Sequence, residues 1–170
     1  LDKIGGKGLF VKEIESHILK GDIDIGVHSM KDMPATSHHE LEIFCLMNRL
    51  DSSDVLISNN GKTLSSLDSG AVIGTSSIRR RAQILNVRSD LKIKLLRGNV
   101  DTRMKKLKDG LYDAIILSYA GIKYLKLENE ITEIFTTKEI IPSAGQGIIA
   151  LQCREDDLKT ISLLKKINHH

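Results

Sequence analysis

Residues 71–86, AVIGTSSIRRRAQILN, decide the fold class of this chain. The apolar pair Val72–Ile73 is typical of a short buried strand, and the small residues Gly74–Ser77 follow it. Ser77 is a preferred helix cap, so a helix is predicted from Ser77 to Asn86. The residues predicted to face inward on this helix are Ile78, Ala82 and Leu85. The stretch therefore predicts a strand, a polar loop and a helix in succession.

Short apolar runs and amphipathic segments alternate on both sides of this unit. The predicted strands are Ile23–Val27, Leu41–Met47, Val55–Ser58, Val72–Ile73, Ile93–Leu96, Ala114–Leu117 and Ile148–Gln152. The other predicted helical stripes are Phe10, Ile14 and Ile18 within Leu9–Leu19; Val100, Met104 and Leu107 before Asp109-Gly110; and Leu158, Ile161, Leu164 and Ile167 after Asp156-Asp157. Strands that alternate with helices indicate an α/β fold with a largely parallel sheet.

Two segments of the chain are predicted to be interdomain crossings. They are residues 49–52, which are polar and follow a strand, and residues 142–147, which contain Pro142 and two glycines. Two crossings make residues 53–141 a domain inserted within another, which consists of residues 1–48 and 148–170. Solute-binding proteins with a cleft between two lobes are built in this way.

Composition narrows the classes of function. The chain has 170 residues, of which 41% are hydrophobic and 28% charged, as expected of a soluble globular protein. Its apolar runs are too short to span a membrane. The net charge of +3 is mild, and aromatic residues make up only 4%, so the stacking platforms of a nucleic-acid binder are missing. Cys45 and Cys153 have no metal-binding or disulfide spacing, which favours core thiols and a reducing, cytoplasmic setting.

Polar side chains follow several of the predicted strands. The first strand is followed by His28, Ser29, Lys31 and Asp32. The strand Val72–Ile73 is followed by Gly74, Thr75, Ser76 and Ser77, and then by Arg79 and Arg80. The strand Ile93–Leu96 is followed by Arg97 and Gly98, and then by Arg103. In doubly wound sheets, ligands bind outside the carboxyl ends of the strands. Hydroxyls, backbone N–H groups at a helix start and arginines all bind anions. The sequence therefore predicts a cleft for an anionic ligand.

The run Arg79-Arg80-Arg81 has two interpretations. It is either a solvated helix face or part of a ligand site, and at least one of its members is expected on the surface. Because Arg97 and Arg103 also follow a strand, the ligand interpretation is favoured. Arginines from separate loops indicate a ligand with several carboxylates or phosphates.

Asp32 is the only carboxylate in the loop from His28 to Asp32. In cationic surroundings it is suited to stabilising a developing positive charge or to passing a proton; the alternative is a helix cap. His28 is equally compatible with a buried, hydrogen-bonded ring and with a catalytic base. Residues 3–8, KIGGKG, lack the spacing of a phosphate loop and are interpreted as a lid or hinge that carries two lysines.

Six ordered motifs resemble those of the porphobilinogen deaminase family. They are Lys7-Gly8-Leu9-Phe10, Val27-His28-Ser29-Met30-Lys31-Asp32-Met33-Pro34, Gly74-Thr75-Ser76-Ser77-Ile78-Arg79-Arg80, Arg97-Gly98-Asn99-Val100, Asp113-Ala114-Ile115-Ile116-Leu117 and Gly145-Gln146-Gly147. The resemblance spans essentially the whole chain, and six motifs in the family's order are far more specific than any one of them.

The resemblance implies a three-domain architecture. Two domains are α/β lobes of solute-binding-protein type with the active cleft between them, and one of these is incomplete in this chain. The third, an α+β domain absent from this chain, carries the cysteine of a Gly-Gly-Cys motif that holds a covalent dipyrromethane cofactor. Neither Cys45 nor Cys153 matches that attachment site, so the chain as given is expected to be inactive alone.

The resemblance also implies an activity, the stepwise deaminative condensation of four porphobilinogen molecules into the linear tetrapyrrole hydroxymethylbilane in haem biosynthesis. Asp32 matches the family's catalytic aspartate. The residues implied to bind cofactor and substrate carboxylates are Lys3, Ser29, Lys31, Thr75, Ser76, Ser77, Arg79, Arg80, Arg97, Gly98 and Arg103. A cytoplasmic monomer is expected, with porphobilinogen and the growing polypyrrole as partners, and with no metal, nucleic acid or membrane.

The chain departs from the family pattern at two places. Tyr124 stands where the family usually carries an arginine, and the interdomain motif Arg-x-Asp-Pro-Arg-Asp is replaced by residues 49–54, RLDSSD. Arg49 and Asp54 are therefore interpreted as hinge contacts only. The main alternative function is a non-enzymatic anion-binding or solute-binding module, which shares the lobes but does not explain Asp32 among the cations.

Overall fold

A computed structural model describes residues 9–169, which form two compact units. Of these residues, the first unit comprises those up to Leu50 and those from Ala144 onwards, and the second comprises Asp51–Ser143. Lys3 and the glycine-rich segment around it lie outside the described residues.

The helices and strands alternate along the chain. In chain order they are α1 (Leu9–Lys20), β1 (Gly26–Ser29), β2 (Leu41–Leu46), β3 (Asp54–Ser58), β4 (Val72–Gly74), α2 (Ile78–Val87), β5 (Lys92–Lys94), α3 (Val100–Lys108), β6 (Ala114–Ser118), α4 (Tyr119–Tyr124), β7 (Glu133–Ile134), β8 (Ile149–Arg154) and α5 (Leu158–Lys165). Short 3-10 helices occupy Met30–Asp32 and Glu128–Glu130. The predicted α/β class is confirmed.

The described strands of the first unit form an antiparallel sheet in the order β1-β8-β2. The prediction of a largely parallel sheet is wrong for these strands. β8 re-enters the unit after the whole second unit and inserts between β1 and β2, running opposite to both. Strand periodicity reports which face is buried but not the direction of pairing, so the sequence pattern did not reveal this arrangement.

The second unit contains a mixed sheet in the order β5-β4-β6-β3-β7. β4 pairs in parallel with both β5 and β6, whereas β3 is antiparallel to β6 and β7. The parallel prediction therefore holds for three neighbouring strands, whose crossovers contain α2 and α3. Their carboxyl ends share one edge of the sheet, where ligands bind in folds of this kind.

Two apolar clusters cover the two faces of this sheet. One contains Leu56, Ile73, Ile84, Ile116 and Phe135, and the other contains Val55, Ile57, Leu96, Leu107 and Ile115. β3 and β6 are buried on both faces, as their unbroken apolar runs indicate.

The inward face of α2 differs from the prediction. Ile78 is 84% exposed, Ala82 is exposed and Leu85 is half-buried, whereas Arg80 and Ile84 are buried. The helix is rotated because the guanidinium of Arg80 bonds to a buried carboxylate in β3. Hydrophobicity alone assigned the phase of this helix wrongly because one of its inward residues is an arginine.

Two other helical stripes need partial correction. On α1, Val11 and Ile18 are buried and Phe10 is exposed. On α5, Ile161 and Leu164 are buried, Leu158 is exposed, and Ile167 lies beyond the end of the helix and is also exposed. Apolar residues near helix ends satisfied the periodicity without contacting the core.

The remaining helix predictions are confirmed. Met104 and Leu107 of α3 are buried, Val100 packs against their cluster, and Gly110 follows the helix with φ +76°. The side chain of Ser77 accepts a hydrogen bond from the backbone N–H of Arg80 and caps α2. Among residues 9–169, no helix combines the length and the apolar character that crossing a bilayer requires.

Replacing Ile84 and Ile78 in turn tests the observed phase of α2. Ile84→Ala should lower the free energy of unfolding by about 2–5 kcal/mol because it leaves a cavity in the core. Ile78→Ala, on the same helix, should change it by less than about 0.5 kcal/mol. Urea denaturation of both variants measures the difference, and equal losses would contradict the described phase.

Candidate functional site

The first unit presents Asp32 at the end of a one-turn helix. Ser29 ends β1, Met30–Asp32 form the 3-10 turn, and the N–H of Met33 closes it on the carbonyl of Met30 at 3.2 Å. Asp32 is exposed, and Ser29 and Lys31 are half-buried. Asp32 is the last residue of this turn and precedes no helix, so the alternative of a helix cap does not apply.

The segment Gly145-Gln146-Gly147 packs against this turn. Lys31 Nζ donates to Oε1 of Gln146 at 3.3 Å, and Arg49 Nε donates to the backbone carbonyl of Gln146 at 3.0 Å. The N–H of Met30 donates to the carbonyl of Ile148 at 3.0 Å. Gln146 is buried, so an interior residue holds the side chain of Lys31, which precedes Asp32 in the turn.

Gly145 allows this close approach. Its φ is +69°, and a Cβ there would lie 2.8 Å from Cγ and 3.2 Å from the backbone carbon of Met30. Only glycine combines that backbone conformation with that contact.

His28 lies inside the first unit. Its ring is buried beside Gln152 and Glu15, and burial lowers the pKa of the imidazole although both neighbours favour the charged form. Its Nε2 has no hydrogen-bond partner among the described residues. Because a neutral, enclosed ring cannot reach a ligand outside the unit, this geometry favours a packing role over a catalytic one.

Several polar groups of the loop after β4 are already hydrogen-bonded within the second unit. The N–H of Thr75 donates to the carbonyl of Lys94 at 3.0 Å, and the N–H of Ser77 donates to Oγ1 of Thr75 at 3.2 Å. The hydroxyl of Ser77 is engaged as the cap of α2. Thr75 is buried and Ser76 is exposed. These bonds shape the loop and leave the side chain of Ser76 turned to solvent.

The arginines at the start of α2 differ from one another in burial. Arg80 is 6% exposed, Arg79 is partly exposed and Arg81 is exposed. The expectation that at least one of the three lies on the surface is confirmed by Arg81. Arg79 and Arg80 both pair with Asp54, the first residue of β3.

The loop after β5 carries the other predicted cations. Arg97 and Gly98 are exposed, and Gly98 has φ +121°. Nε of Arg103 donates to the carbonyl of Gly98 at 2.7 Å, and Nζ of Lys106 donates to the carbonyl of Arg97 at 3.0 Å. Side chains of α3 therefore brace the backbone that carries Arg97.

The predicted residues thus fall into two groups, each within one unit. Ser29, Lys31 and Asp32 belong to the first unit. The group in the second unit comprises Thr75, Ser76, Ser77, Arg79, Arg80, Arg97, Gly98 and Arg103. The second group follows the carboxyl ends of β4 and β5, which are parallel neighbours, so its members share one edge of the sheet.

The sequence reasoning missed the roles of Asp54 and Gln146. An acidic residue directly before the buried run 55–57 was a signal, since a carboxylate that enters a core requires a cation. Tyr124, at the end of α4, is exposed. Cys45 and Cys153 are free and buried, and burial raises the pKa of both thiols, which confirms them as core residues.

A groove on another side of α2 contains none of the predicted site residues. It is lined by residues that include Ala82, Gln83, Val87, Phe135 and Ile141. Gln83 is already bonded to the backbone of Ile141 through both its amide oxygen and its amide nitrogen. The groove adjoins Arg79 through the carbonyl of Ile141, but none of the predicted site residues lines it.

Comparison with solved structures defines the class of fold. A putative methionine-binding lipoprotein from Bacillus subtilis matches with a TM-score of 0.60 at 14% identity, over 94% of this chain and 75% of that chain. The periplasmic VFT2 domain of BvgS from Bordetella pertussis matches with a TM-score of 0.53 at 14% identity, over 92% of this chain and 66% of that one. The fold is that of the solute-binding α/β proteins.

Sequence comparison identifies the family. The profile described as "Porphobilinogen deaminase, dipyromethane cofactor binding domain" matches residues 1–162. The chain belongs to the porphobilinogen deaminase family.

Curated relatives agree with this membership. Porphobilinogen deaminase from Geobacillus sp. is 53% identical over 169 residues, and that from Brevibacillus brevis is 49% identical over 168 residues. Each match covers 99% of this chain and 54% of the relative. The chain therefore spans about half the length of the curated relatives that it matches.

Replacing Gly145 tests the support behind Asp32. Gly145→Ala should cost about 1–2 kcal/mol for the left-handed backbone, and more for the contact with Met30. Gly21→Ala is the matched control, because Gly21 has φ +76° in the same unit and its Cβ would meet no described atom within 4 Å. Urea unfolding gives the free energy of unfolding of both variants. The contact with Met30 should make the decrease larger in Gly145→Ala than in Gly21→Ala, and equal decreases would contradict it.

Proposed function

We propose that the protein carrying this chain is a hydroxymethylbilane synthase, which condenses four porphobilinogen molecules, with loss of ammonia, into a linear tetrapyrrole. Family membership supports this activity. The single observation that carries it in the structure is the exposed carboxylate of Asp32, held at the tip of a turn braced by Lys31 and Gln146.

The substrate's charge explains the arginines. Porphobilinogen carries acetate and propionate groups, so the growing chain is a polyanion. Arg97 and Ser76 are exposed at the carboxyl edge of the parallel strands, and Arg79 is partly exposed there. Guanidinium groups bind carboxylates through paired N–H donors. In the proposed site, Arg79, Arg80, Arg97, Gly98 and Arg103, with Thr75, Ser76 and Ser77, hold and orient these groups, assisted by Lys3, Ser29 and Lys31.

Asp32 is the proposed catalytic residue. When ammonia leaves the aminomethyl group, positive charge develops on the substrate carbon and spreads into the pyrrole ring. A carboxylate fixed beside this charge lowers the energy of the transition state, and it also accepts or returns a proton at the pyrrole nitrogen. Lys31 and Gln146 keep Asp32 in position, so little reorganisation is needed at the moment of reaction.

The cofactor named in the family description fits the donor set of this chain. A dipyrromethane carries the same acetate and propionate groups as the substrate. Arg79, Arg97 and the Ser76 hydroxyl have the chemistry to hold such groups. When bound, the cofactor supplies the pyrrole terminus from which the chain is extended. As the family resemblance implies, its proposed attachment cysteine belongs to a Gly-Gly-Cys motif in a third domain, and neither Cys45 nor Cys153 stands in such a motif.

Several finer assignments belong to the same proposal. Residues 1–48 and 148–170 form part of the first lobe, residues 53–141 form the inserted lobe, and residues 49–52 and 142–147 connect them. The protein is a cytoplasmic monomer that acts on porphobilinogen and the growing polypyrrole. A non-enzymatic solute-binding module would need the same arginines but has no use for an exposed Asp32 beside Lys31.

Neutralising Asp32 tests the catalytic assignment. In the complete gene product that carries this sequence, Asp32→Asn should lower turnover of porphobilinogen by about two to three orders of magnitude. Because the amide keeps the size of the side chain, binding should be largely retained. Glu42→Gln, an exposed carboxylate on β2, is the control and should leave turnover unchanged. Near-normal turnover in Asp32→Asn would remove Asp32 from this role.

Intact-mass spectrometry tests the cofactor independently of activity. The complete gene product should exceed its polypeptide mass by one dipyrromethane, because the cofactor is covalently attached. The same protein produced in a host that makes no porphobilinogen should show the polypeptide mass alone. A protein from a porphobilinogen-producing host without added mass would contradict the assignment.

A further inference from the structure

Asp54 is a buried acid to which the proposed mechanism gives no role. It is the first residue of β3 and is 0% exposed. Because β3 is antiparallel to β6 and Asp54 lies opposite Ser118, it stands at the edge where β6 ends. This is the edge that carries the proposed anion site.

Two arginines share the carboxylate of Asp54. Oδ1 accepts hydrogen bonds from Nε and Nη2 of Arg80, at 3.1 and 2.7 Å. Oδ2 forms an ion pair with Nη2 of Arg79 at 2.7 Å. Nη1 of Arg80 donates to the carbonyl of Ile116 at 3.0 Å, and Nη1 of Arg79 donates to the carbonyl of Ile141. Each guanidinium is therefore fixed at two points.

Burial separates the roles of the two arginines. Arg80 is buried, so its charge offsets that of Asp54 in the interior, where an unpaired charge is costly. The side chain of Arg79 is 24% exposed; its Nη2 forms the ion pair with Asp54 and its Nη1 donates to the carbonyl of Ile141. The cluster of two guanidinium groups and one carboxylate has a net charge of one positive unit, and Arg79 is the member of it that is partly exposed to solvent.

We infer that Asp54 is a positioning residue that orients Arg79 for contact with a carboxylate of the pyrrole chain, while Arg80 anchors Asp54. This inference rests on the proposed function and deepens it. Asp54 does not touch the ligand. It acts through Arg79, whose guanidinium plane is fixed by Asp54 on one side and by Ile141 on the other.

The direction in which KM changes in Asp54→Asn distinguishes an orienting role of Asp54 from a purely electrostatic one. Asp54→Asn raises the net charge of the cluster, so attraction alone would tighten the binding of an anionic substrate and lower KM. Loss of orientation has the opposite effect. In the complete gene product, Asp54→Asn should raise the KM for porphobilinogen about tenfold, the equivalent of one charge-assisted hydrogen bond. A KM that falls or stays unchanged would overturn the inference.

Arg79→Lys keeps the test decisive if Asp54→Asn does not fold. Lysine retains the charge but cannot bridge Asp54 and Ile141 with a planar fork. Its KM should also rise about tenfold, with a melting temperature near that of the parent. Arg81→Lys, on the exposed side of the same helix, is the matched control and should match the parent in both measurements. A parental KM in Arg79→Lys would overturn the inference.

The double variant Asp54→Asn with Arg79→Lys tests whether Asp54 acts through Arg79. Its KM should equal that of Arg79→Lys alone, because the group that Asp54 orients is already lost. Multiplied effects would overturn the inference. A parent protein that makes no tetrapyrrole would instead overturn the proposed function, whereas an active parent with a parental KM in Arg79→Lys would overturn only the role of Asp54.

Discussion

The carboxylate of Asp54 is buried at the start of β3, and a buried charge is stable only beside a charge of opposite sign. Asp54 accepts two hydrogen bonds from Arg80, and Arg80 also donates to the carbonyl of Ile116 in the middle of β6, so one side chain of α2 links two strands. Removing either partner would leave an uncompensated charge in the core, which costs several kcal/mol, about 3–5 in comparable pairs. The rotation of α2 follows from this pairing, and so do the burial of Ile84 and the exposure of Ile78.

The same pairing affects the edge of the sheet at which the anion site is proposed. Arg80 pairs with Asp54 in the interior, so Arg79 and Arg97 present more exposed guanidinium groups at this edge than Arg80 does. Arg103 and Lys106 bond to the carbonyls of that loop and stiffen it from behind. In the first unit, Gln146 has a similar function towards Lys31. Both units therefore combine exposed polar groups with interior residues that hold them in place.

Much of the fold could be predicted from the sequence. The α/β class, the approximate positions of the described strands other than β7, the cap at Ser77, the stripe on α3 and the buried thiols were predicted, because each depends on local periodicity or on a local hydrogen bond. The first predicted strand, Ile23–Val27, overlaps β1 only at Gly26 and Val27. The failures have a common cause. Phe10, Ile78 and Leu158 fit a helical stripe but face solvent, since periodicity counts apolar residues and cannot show which face a neighbouring element covers. Arg80, a polar residue on the inward face of α2, was invisible to that pattern.

The sequence by itself determined the order of the elements, the family and the identity of the polar residues that follow each strand, because these properties belong to neighbours along the chain. Tertiary structure decided the antiparallel insertion of β8, the pairing of Asp54 with two arginines and the bond from Gln146 to Lys31. These contacts join residues separated by 26 positions in the Arg80–Asp54 pair and by 115 in the Lys31–Gln146 pair. Their free energy depends on burial and geometry, which exist only once the chain has folded.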